Sequence, residues 1–570
     1  MKLSLVPLLL AGTASASAAA IAERQVASTD STSPSTASTA TPTSTDSTPS
    51  SSSTTAVGPP STVPTGVVIE GDYSGSLRPQ IHFSPPSGWA NDPNGMFRDS
   101  NGTWHFYYQY NPTGLVAGNQ HWGHATSNDL YTWTNQPIAL FPPNSTSGVF
   151  SGSAVVDANN TSGFFSNATA GVDNVVAIYT LNTPTNQVQE LAYSYDGGYT
   201  FTPYEGNPVI DIGSTQFRDP KVFWHDETSS WVMAVAYSQD FTIGIYTSPN
   251  LKEWTHASNF TNHGLLGLQY ECPNLVQVPV KDSDELAWVL YISNNPGMPQ
   301  GGSAGQYFPG TFNGTHFEAV DGATRIAEFG KDDYARQWFG GTQPGESVSI
   351  AWASNWQYGQ QAPTASEGWR SAMSLPRQHY LTNATRISPI LVSYPYNFET
   401  VYNSSLLDGG AESVSVVNDS ISVDFASLES KAVYFALNIS LPANETLIPT
   451  TANLTVTFTS SGSSTNETLS MGYLFGQSDG GMTWIDRGHL GGFSNPFFTD
   501  KFSTAQAGKA YRIEGVLDRS LFELFLDEGA YAATVDVYPT SPLDGLTVET
   551  ADLPEEAEVS LAVWGLRGTW

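Results

Sequence analysis

The sequence predicts an all-β protein, a five-bladed β-propeller followed by a C-terminal β-sandwich, and three observations carry that reading. Aromatic residues make up 12% and charged residues 13% of the chain, beside 51 Gly and 36 Pro, a composition suited to short strands joined by many turns. Runs such as Trp104–Tyr108, Ala154–Val156, Val175–Tyr179 and Trp231–Val235 alternate with Gly/Asn/Asp/Pro turns, and no window up to Arg377 carries helical periodicity. A weak repeat also recurs. Ser127–Trp133, Ser194–Phe201 and Ser248–Trp254 each place a Ser, a turn and an aromatic at matching offsets, about 55 to 67 residues apart, the length of one four-stranded blade.

Taken in order, the chain begins with Lys2, an apolar run from Leu3 to Ala11 and small residues in A-x-A patterns between Ala14 and Ala20. That is the pattern of a secretory signal peptide over residues 1–20. Residues 21–70 are dominated by Ser, Thr, Pro and Ala and read as an extended, O-glycosylated stalk with nothing large enough to bury. Globular sequence starts near Gly71. About 310 residues between Pro79 and Pro389 accommodate five blades, which places the propeller at 71–394. Longer alternating strands come next, such as Leu454–Thr459, Tyr511–Leu517 and Leu521–Leu526, and assign 395–570 to the sandwich.

Charge narrows the partners. With 53 acidic against 21 basic residues the formal charge is −32, which repels nucleic-acid phosphates and anionic membranes. Neither is expected as a partner. No later stretch has the ~18 apolar residues of a transmembrane helix. Cys272 is the only cysteine, so no intrachain disulfide can form. About fourteen N-x-[ST] sequons, among them Asn101, Asn144, Asn313, Asn444, Asn453 and Asn466, lead us to expect N-linked glycans on a secreted chain.

The chemistry starts at Gly88–Gly95. Pro93 fixes its own φ and biases Asp92 away from helix, and Asn94-Gly95 suits a tight turn, so the Asp92 carboxylate is aimed rather than merely exposed. Taken alone, the tetrapeptide Asp92–Gly95 is more often a surface turn. Two further acids sit in similar settings. Asp219 again precedes a Pro, with Arg218 beside it to hold it ionised, while Glu271 lies between Tyr270 and Cys272, in an aromatic, apolar setting that favours a proton donor. Each alone is more often a solvated loop acid. Together Asp92, Ser151, Asp219, Glu271 and Asp332 fall 59, 68, 52 and 61 residues apart, one polar residue per blade, converging on the propeller axis.

The segments Trp89–Gly95, Phe106–Pro112, Trp122–Thr126, Phe150–Ser153, Phe217–Trp224, Tyr270–Pro273 and Ala353–Trp356 together resemble the invertase/inulinase family of glycoside hydrolases, family 32, most closely its secreted yeast-type members. The resemblance covers nearly everything from residue 79 onward and implies a retaining β-fructofuranosidase acting on sucrose and fructo-oligosaccharides. It places the nucleophile on Asp92, a transition-state stabiliser on Asp219 and the acid/base on Glu271. Sugar contacts fall on Asn91, Gln109, Phe150, Ser151, Arg218 and Trp356. Trp89, Trp122 and Asp332 complete the expected site, with packing as the competing role for Gln109 and for the tryptophans Trp122 and Trp356. The family's sandwich often mediates association, so a homodimer or larger assembly is expected.

Two positions depart from the family's pattern. Ala90 stands where relatives usually carry Met, and Ala117 where many carry Trp; both fall, by the resemblance, around the site for glucose or an acceptor sugar. Lost bulk there implies transfer of fructosyl groups to sugars as well as to water. The resemblance calls for no cofactor, and the sequence shows no metal-ligand spacing, phosphate loop or calcium loop. Gly301–Gly305 matches G-x-S-x-G, but the next residues, Gln306–Gly310, cannot start the helix a nucleophile elbow requires. A sugar-binding propeller without activity needs none of the three acids. An inverting arabinan-type propeller hydrolase would hold its carboxyls ~6.5–9.5 Å apart, and the Trp-x-Asn-Asp-Pro-Asn-Gly motif disfavours it.

Overall fold

The computed structural model describes residues 58–570 apart from Ala168, 384–387, 443–447, Thr465, 477–479 and 507–510. The expected signal peptide, most of the expected stalk and the Asn444 sequon lie outside the described residues.

Five sheets succeed one another along the first part of the chain. Their innermost strands are Gly88–Arg98, Gly148–Val156, Phe217–His225, Tyr270–Pro279 and Tyr334–Trp338. Each packs beside the next, and the fifth packs against the first, so the inner strands ring one axis. Two devices close that ring: Trp369–Arg370 pairs in parallel with Gly88–Trp89, and Gly340 exchanges backbone hydrogen bonds with Met96 and Arg98 at 2.9 Å each. The Ser-turn-aromatic repeats fall one per blade, between the third and fourth strands of blades 1 to 3. In each, Ser127, Ser194 or Ser248 accepts the N–H of Asp129, Asp196 or Asn250 two residues on, so one side-chain-closed turn is reused.

The inner strands are not regular. Opposite their neighbours, register breaks occur between Ala90 and Pro93, Val149 and Gly152, Glu271 and Asn274, and Tyr334 and Gln337; in blade 3 the break lies on the partner, between Ala234 and Ala236, opposite Arg218–Lys221. Asp219, Cys272 and Ala335 adopt left-handed φ of 65°, 45° and 51°. A β-bulge adds a residue, bends the strand and re-aims a side chain. Here every blade bulges at the same height. Asp92-Pro93-Asn94-Gly95 is therefore a buried bulged strand rather than the expected turn, and Gly95 is required because a Cβ there would lie 2.7 Å from Trp122 and 2.8 Å from Tyr107.

Beyond the propeller, two sheets of seven and six strands face each other across a core that includes Val433, Phe458, Phe522 and Val563. The sandwich docks through its strand Tyr531–Asp536: Phe329 N–H donates to the Ala532 carbonyl at 3.0 Å and Asp332 N–H to that of Thr534 at 3.1 Å. Buried ion pairs join the same face. Arg377 reaches Glu523 at 2.9 Å and also pairs with Glu328, while His82 meets Asp518 at 2.8 Å.

Candidate active site

The bulges bring Asp92, Asp219 and Glu271 together at one end of the axis. Cys272 marks the centre of the group, with its Sγ 3.6 Å from an oxygen of Asp92 and 3.6 Å from one of Asp219, and its backbone N–H donates to Asp219 at 3.0 Å. Asp92 receives the Asn91 amide on one oxygen at 3.0 Å and the Ser151 hydroxyl on the other at 3.1 Å. Trp89 donates its indole N–H to Asn91 at 2.8 Å. That bond turns Asn91 toward the acid.

Arg218 departs from the expected pairing with its neighbour Asp219. Its guanidinium lies on Glu271 of the next blade, Nε at 3.2 Å and Nη2 at 3.0 Å, not on the adjoining Asp219. The oxygens of Gln187, Gln216 and Gln269 take its remaining N–H groups. The aromatic partner of Glu271 differs too. Tyr270 turns away to the carbonyl of His263, and the Tyr334 hydroxyl donates to the other Glu271 oxygen. Glu271 keeps 15% of its side chain exposed, so its carboxyl faces the open side of the site.

Electrostatically the site is short of positive charge. Burial pushes the Asp219 carboxyl up to about 7 against the pull of Arg218, with Glu271 and Asp92 adding repulsion. Burial, then Glu271, also raises Asp92, against the donors Asn91 and Ser151. Burial and the three acids together raise the Cys272 thiol, which excludes a thiolate nucleophile. One guanidinium for three clustered carboxyls favours retention of a proton within the group, as an acid/base pair requires.

The other expected residues divide. Phe150 and Trp356 remain partly open. Trp122 is fully buried with its indole N–H on the Phe150 carbonyl at 2.9 Å, and Gln109 donates to Val149 at 3.0 Å. With Trp89 they form the layer that supports the site, so of the two tryptophans weighed, Trp356 is the one left facing out. Asp332 requires correction. It has no exposed surface and is held by Arg487 of the sandwich at 2.7 Å, by Tyr358 and by the Asp536 N–H at 2.9 Å, so it cannot meet a sugar. The fifth blade contributes Tyr334 instead, placed by the bulge at Ala335. Ala90 is likewise corrected: it lies at 0% exposure within the core, leaving Ala117 as the altered position near the surface. Among the described residues no group of three or more His, Cys, Asp or Glu could hold a metal ion.

Residues 82–395 match Glycosyl hydrolases family 32 N-terminal domain, and residues 404–565 match Glycosyl hydrolases family 32 C terminal. The chain belongs to glycosyl hydrolase family 32. It is thus a glycoside hydrolase. It is 43% identical over 491 residues to "Invertase 2" of Saccharomyces cerevisiae, covering 82% of this chain and 90% of that one. It is 44% identical over 501 residues to the extracellular exo-inulinase of Meyerozyma guilliermondii, covering 84% and 93%. Among solved structures, β-fructofuranosidase from Schwanniomyces occidentalis complexed with fructosyl-erythritol superposes with a TM-score of 0.78 at 37% identity, covering 87% of this chain and 98% of that one.

Proposed function

We infer that this family 32 enzyme is a secreted β-fructofuranosidase, cleaving sucrose and short fructo-oligosaccharides by a retaining double displacement. The carrying observation is the convergence of three carboxyls from the inner strands of blades 1, 3 and 4, with Cys272 within 3.6 Å of both aspartates. Invertase and exo-inulinase relatives support the substrate class.

In the first step an Asp92 oxygen attacks the anomeric carbon of the fructosyl unit. The bond to the leaving-group oxygen breaks, and Glu271 delivers its proton to that oxygen. Asn91 and Ser151 hold Asp92 in the attacking rotamer. Asp219, fixed by the Cys272 N–H, accepts sugar hydroxyls as positive charge builds on the ring, so its interactions strengthen toward the transition state. In the second step Glu271 takes a proton from water, and the oxygen of that water displaces Asp92. Arg218 and Tyr334 orient Glu271 through both steps.

A sugar hydroxyl replacing water in the second step yields transfer. Ala117 supports that route: it is half-buried, its N–H donates to Gln360 Oε1 at 3.1 Å, and it presents only a methyl group at that position. Purified enzyme at high sucrose is expected to produce trisaccharide, and Ala117→Trp to reduce it; glucose and fructose in equal amounts alone would overturn transfer. The hydrolytic reading is tested with sucrose, kestoses and inulin, products resolved by chromatography. Asp92→Asn and Glu271→Gln are expected to lower kcat by about 10²–10⁴-fold, and near-normal turnover in both would refute the assignment.

The extracellular relative supports secretion, and among the described residues no helix is long and apolar enough to cross a membrane. Several sequon asparagines, including Asn101, Asn144, Asn313 and Asn466, are exposed and accessible to N-linked glycans. Association through the sandwich is the expected oligomeric mode.

A further inference from the structure

Trp356 sits on a short segment that is tied on both sides to one buried cluster. Before it, Ser354 donates to Asp536 of the sandwich at 3.2 Å, and Asn355, fully buried, donates to the Lys331 carbonyl at 2.9 Å. After it, the Tyr358 hydroxyl donates to Asp332 and lies 3.2 Å from Arg487. Arg487, also fully buried, joins these groups, with Nη1 2.7 Å from Asp332 and 2.7 Å from the Asp536 carbonyl. Its guanidinium rests 3.6 Å above the Phe498 ring. Lys331 ties the neighbouring residue to the sandwich as well, through the Phe497 carbonyl at 2.6 Å. The Trp356 ring itself leans on Trp352 and Trp89, with centroids 4.8 and 6.0 Å away, and the residue's backbone N–H donates to the Ser303 hydroxyl at 3.1 Å. Its outer face is thus fixed by groups that meet no sugar.

We propose that the buried Arg487–Asp332–Tyr358 group, spanning sandwich and propeller, positions Trp356 for sugar binding, making the sandwich a contributor to substrate affinity. These are positioning residues, acting through the segment they clamp. A fully buried Arg bonded to three backbone or carboxylate oxygens, with a tyrosine hydroxyl completing the fork, holds the segment in one arrangement. Release lets 354–358 shift, and a displacement of about 1 Å is enough to misplace a binding group. Because an aromatic platform meets the sugar equally in ground state and transition state, its misplacement raises KM and leaves kcat alone.

The inference rests on the reading of Trp356 as a sugar contact, and the experiment separates the two. Tyr358→Phe keeps the packing against Phe493 and Phe498 and removes only the hydroxyl; Arg487→Lys is a harsher second variant. Steady-state kinetics on sucrose are expected to show KM raised three- to tenfold in Tyr358→Phe with kcat within twofold, and no further rise when Tyr358→Phe is added to Trp356→Ala. KM does not depend on the folded fraction, so lost protein cannot imitate the effect. If Trp356→Ala raises KM while Tyr358→Phe does not, or the two effects multiply in full, the positioning role is overturned. If Trp356→Ala leaves KM unchanged, the sugar-contact reading itself falls and takes the inference with it.

Discussion

At the propeller axis three carboxyl groups, Asp92, Asp219 and Glu271, share one guanidinium, that of Arg218. At the junction with the sandwich, Glu328, Asp333, Asp518 and Glu523 are met by Arg336, Arg377 and His82. The consequences are opposite. Against burial, Arg377 and His82 hold the Glu523 carboxyl down at about 2, while Asp518 and Glu523 lift His82 to about 9. Glu328 is driven up, to about 7, by burial against Arg377, and burial also raises Asp536 of the docking strand. Burial at both places is similar; compensation is not. The junction uses its charges to hold two domains, whereas the axis leaves carboxyls short of partners that a substrate can then supply.

Removing a partner from the compensated cluster should have the largest effect on stability. Arg377→Ala leaves buried Glu328 with Arg336, and buried Glu523 with His82, as the one remaining cationic partner, and should lower the unfolding free energy by about 3–5 kcal/mol, the range for breaking a buried ion pair by removing one partner. Denaturant melts measure it, and kcat per folded molecule should be unchanged. A loss under about 1 kcal/mol would mean that the junction pairs behave like surface ones.

The same operation at the axis should run the other way. Asp219→Asn removes an undercompensated carboxyl, so kcat should fall about 10²–10³-fold while stability at neutral pH rises on the order of 1 kcal/mol. The sign comes from the direction of the shift. Asp219 is raised from 3.8 to about 7, so the folded state holds the proton more tightly, and stability falls as pH rises through that interval. The gain from Asn should therefore be complete above pH 7 and vanish below 3.8. A gain that persists at low pH would point to packing instead.

How much of each cluster is legible from sequence depends on where its residues lie. The axial site can be read because four blades carry their chemistry inside one short motif each, spaced by the length of a blade. The fifth cannot. A search for acids selects Asp332, yet the bulge at Ala335 decides which side chain faces the axis, and it delivers Tyr334. Arg218 misleads for a related reason: adjacency suggests Asp219, whereas the bulged strand sends the guanidinium across to the next blade. The junction is invisible, since residues 82, 328, 333, 336, 377, 518 and 523 share no local pattern and each alone resembles a solvated surface charge.

A pH profile sets both clusters on one axis with a smaller effect. Glu523 is depressed, so its contribution is whole above 4.5 and is lost as pH falls toward about 2; His82 is raised, so its contribution is whole below 6.5 and is lost as pH climbs through about 9. Both are intact between 4.5 and 6.5, and the raised Asp219 also favours the acid side. Calorimetric Tm should peak within that window. His82→Gln should remove the alkaline decline and also weaken the acid limb, since His82 helps to hold Glu523 and Asp518 down; an unchanged alkaline limb would assign that decline to other groups.

The smallest effect should come from the residue at the centre of the uncompensated cluster. Cys272 has no exposed surface and a raised thiol pKa, so it should resist alkylation in the native enzyme and react only on unfolding. Its contact with Asp219 has two parts: the backbone N–H at 3.0 Å, which no side-chain change removes, and the Sγ at 3.6 Å, a weak donor. Cys272→Ala deletes the second, together with the Sγ contact to Asp92 at 3.6 Å, and leaves a space smaller than a water molecule needs. The expected loss in kcat is under about tenfold, roughly one ordinary hydrogen bond. A loss as large as that of Asp219→Asn would show that the thiol, and not the bulged backbone around it, holds the two aspartates in place.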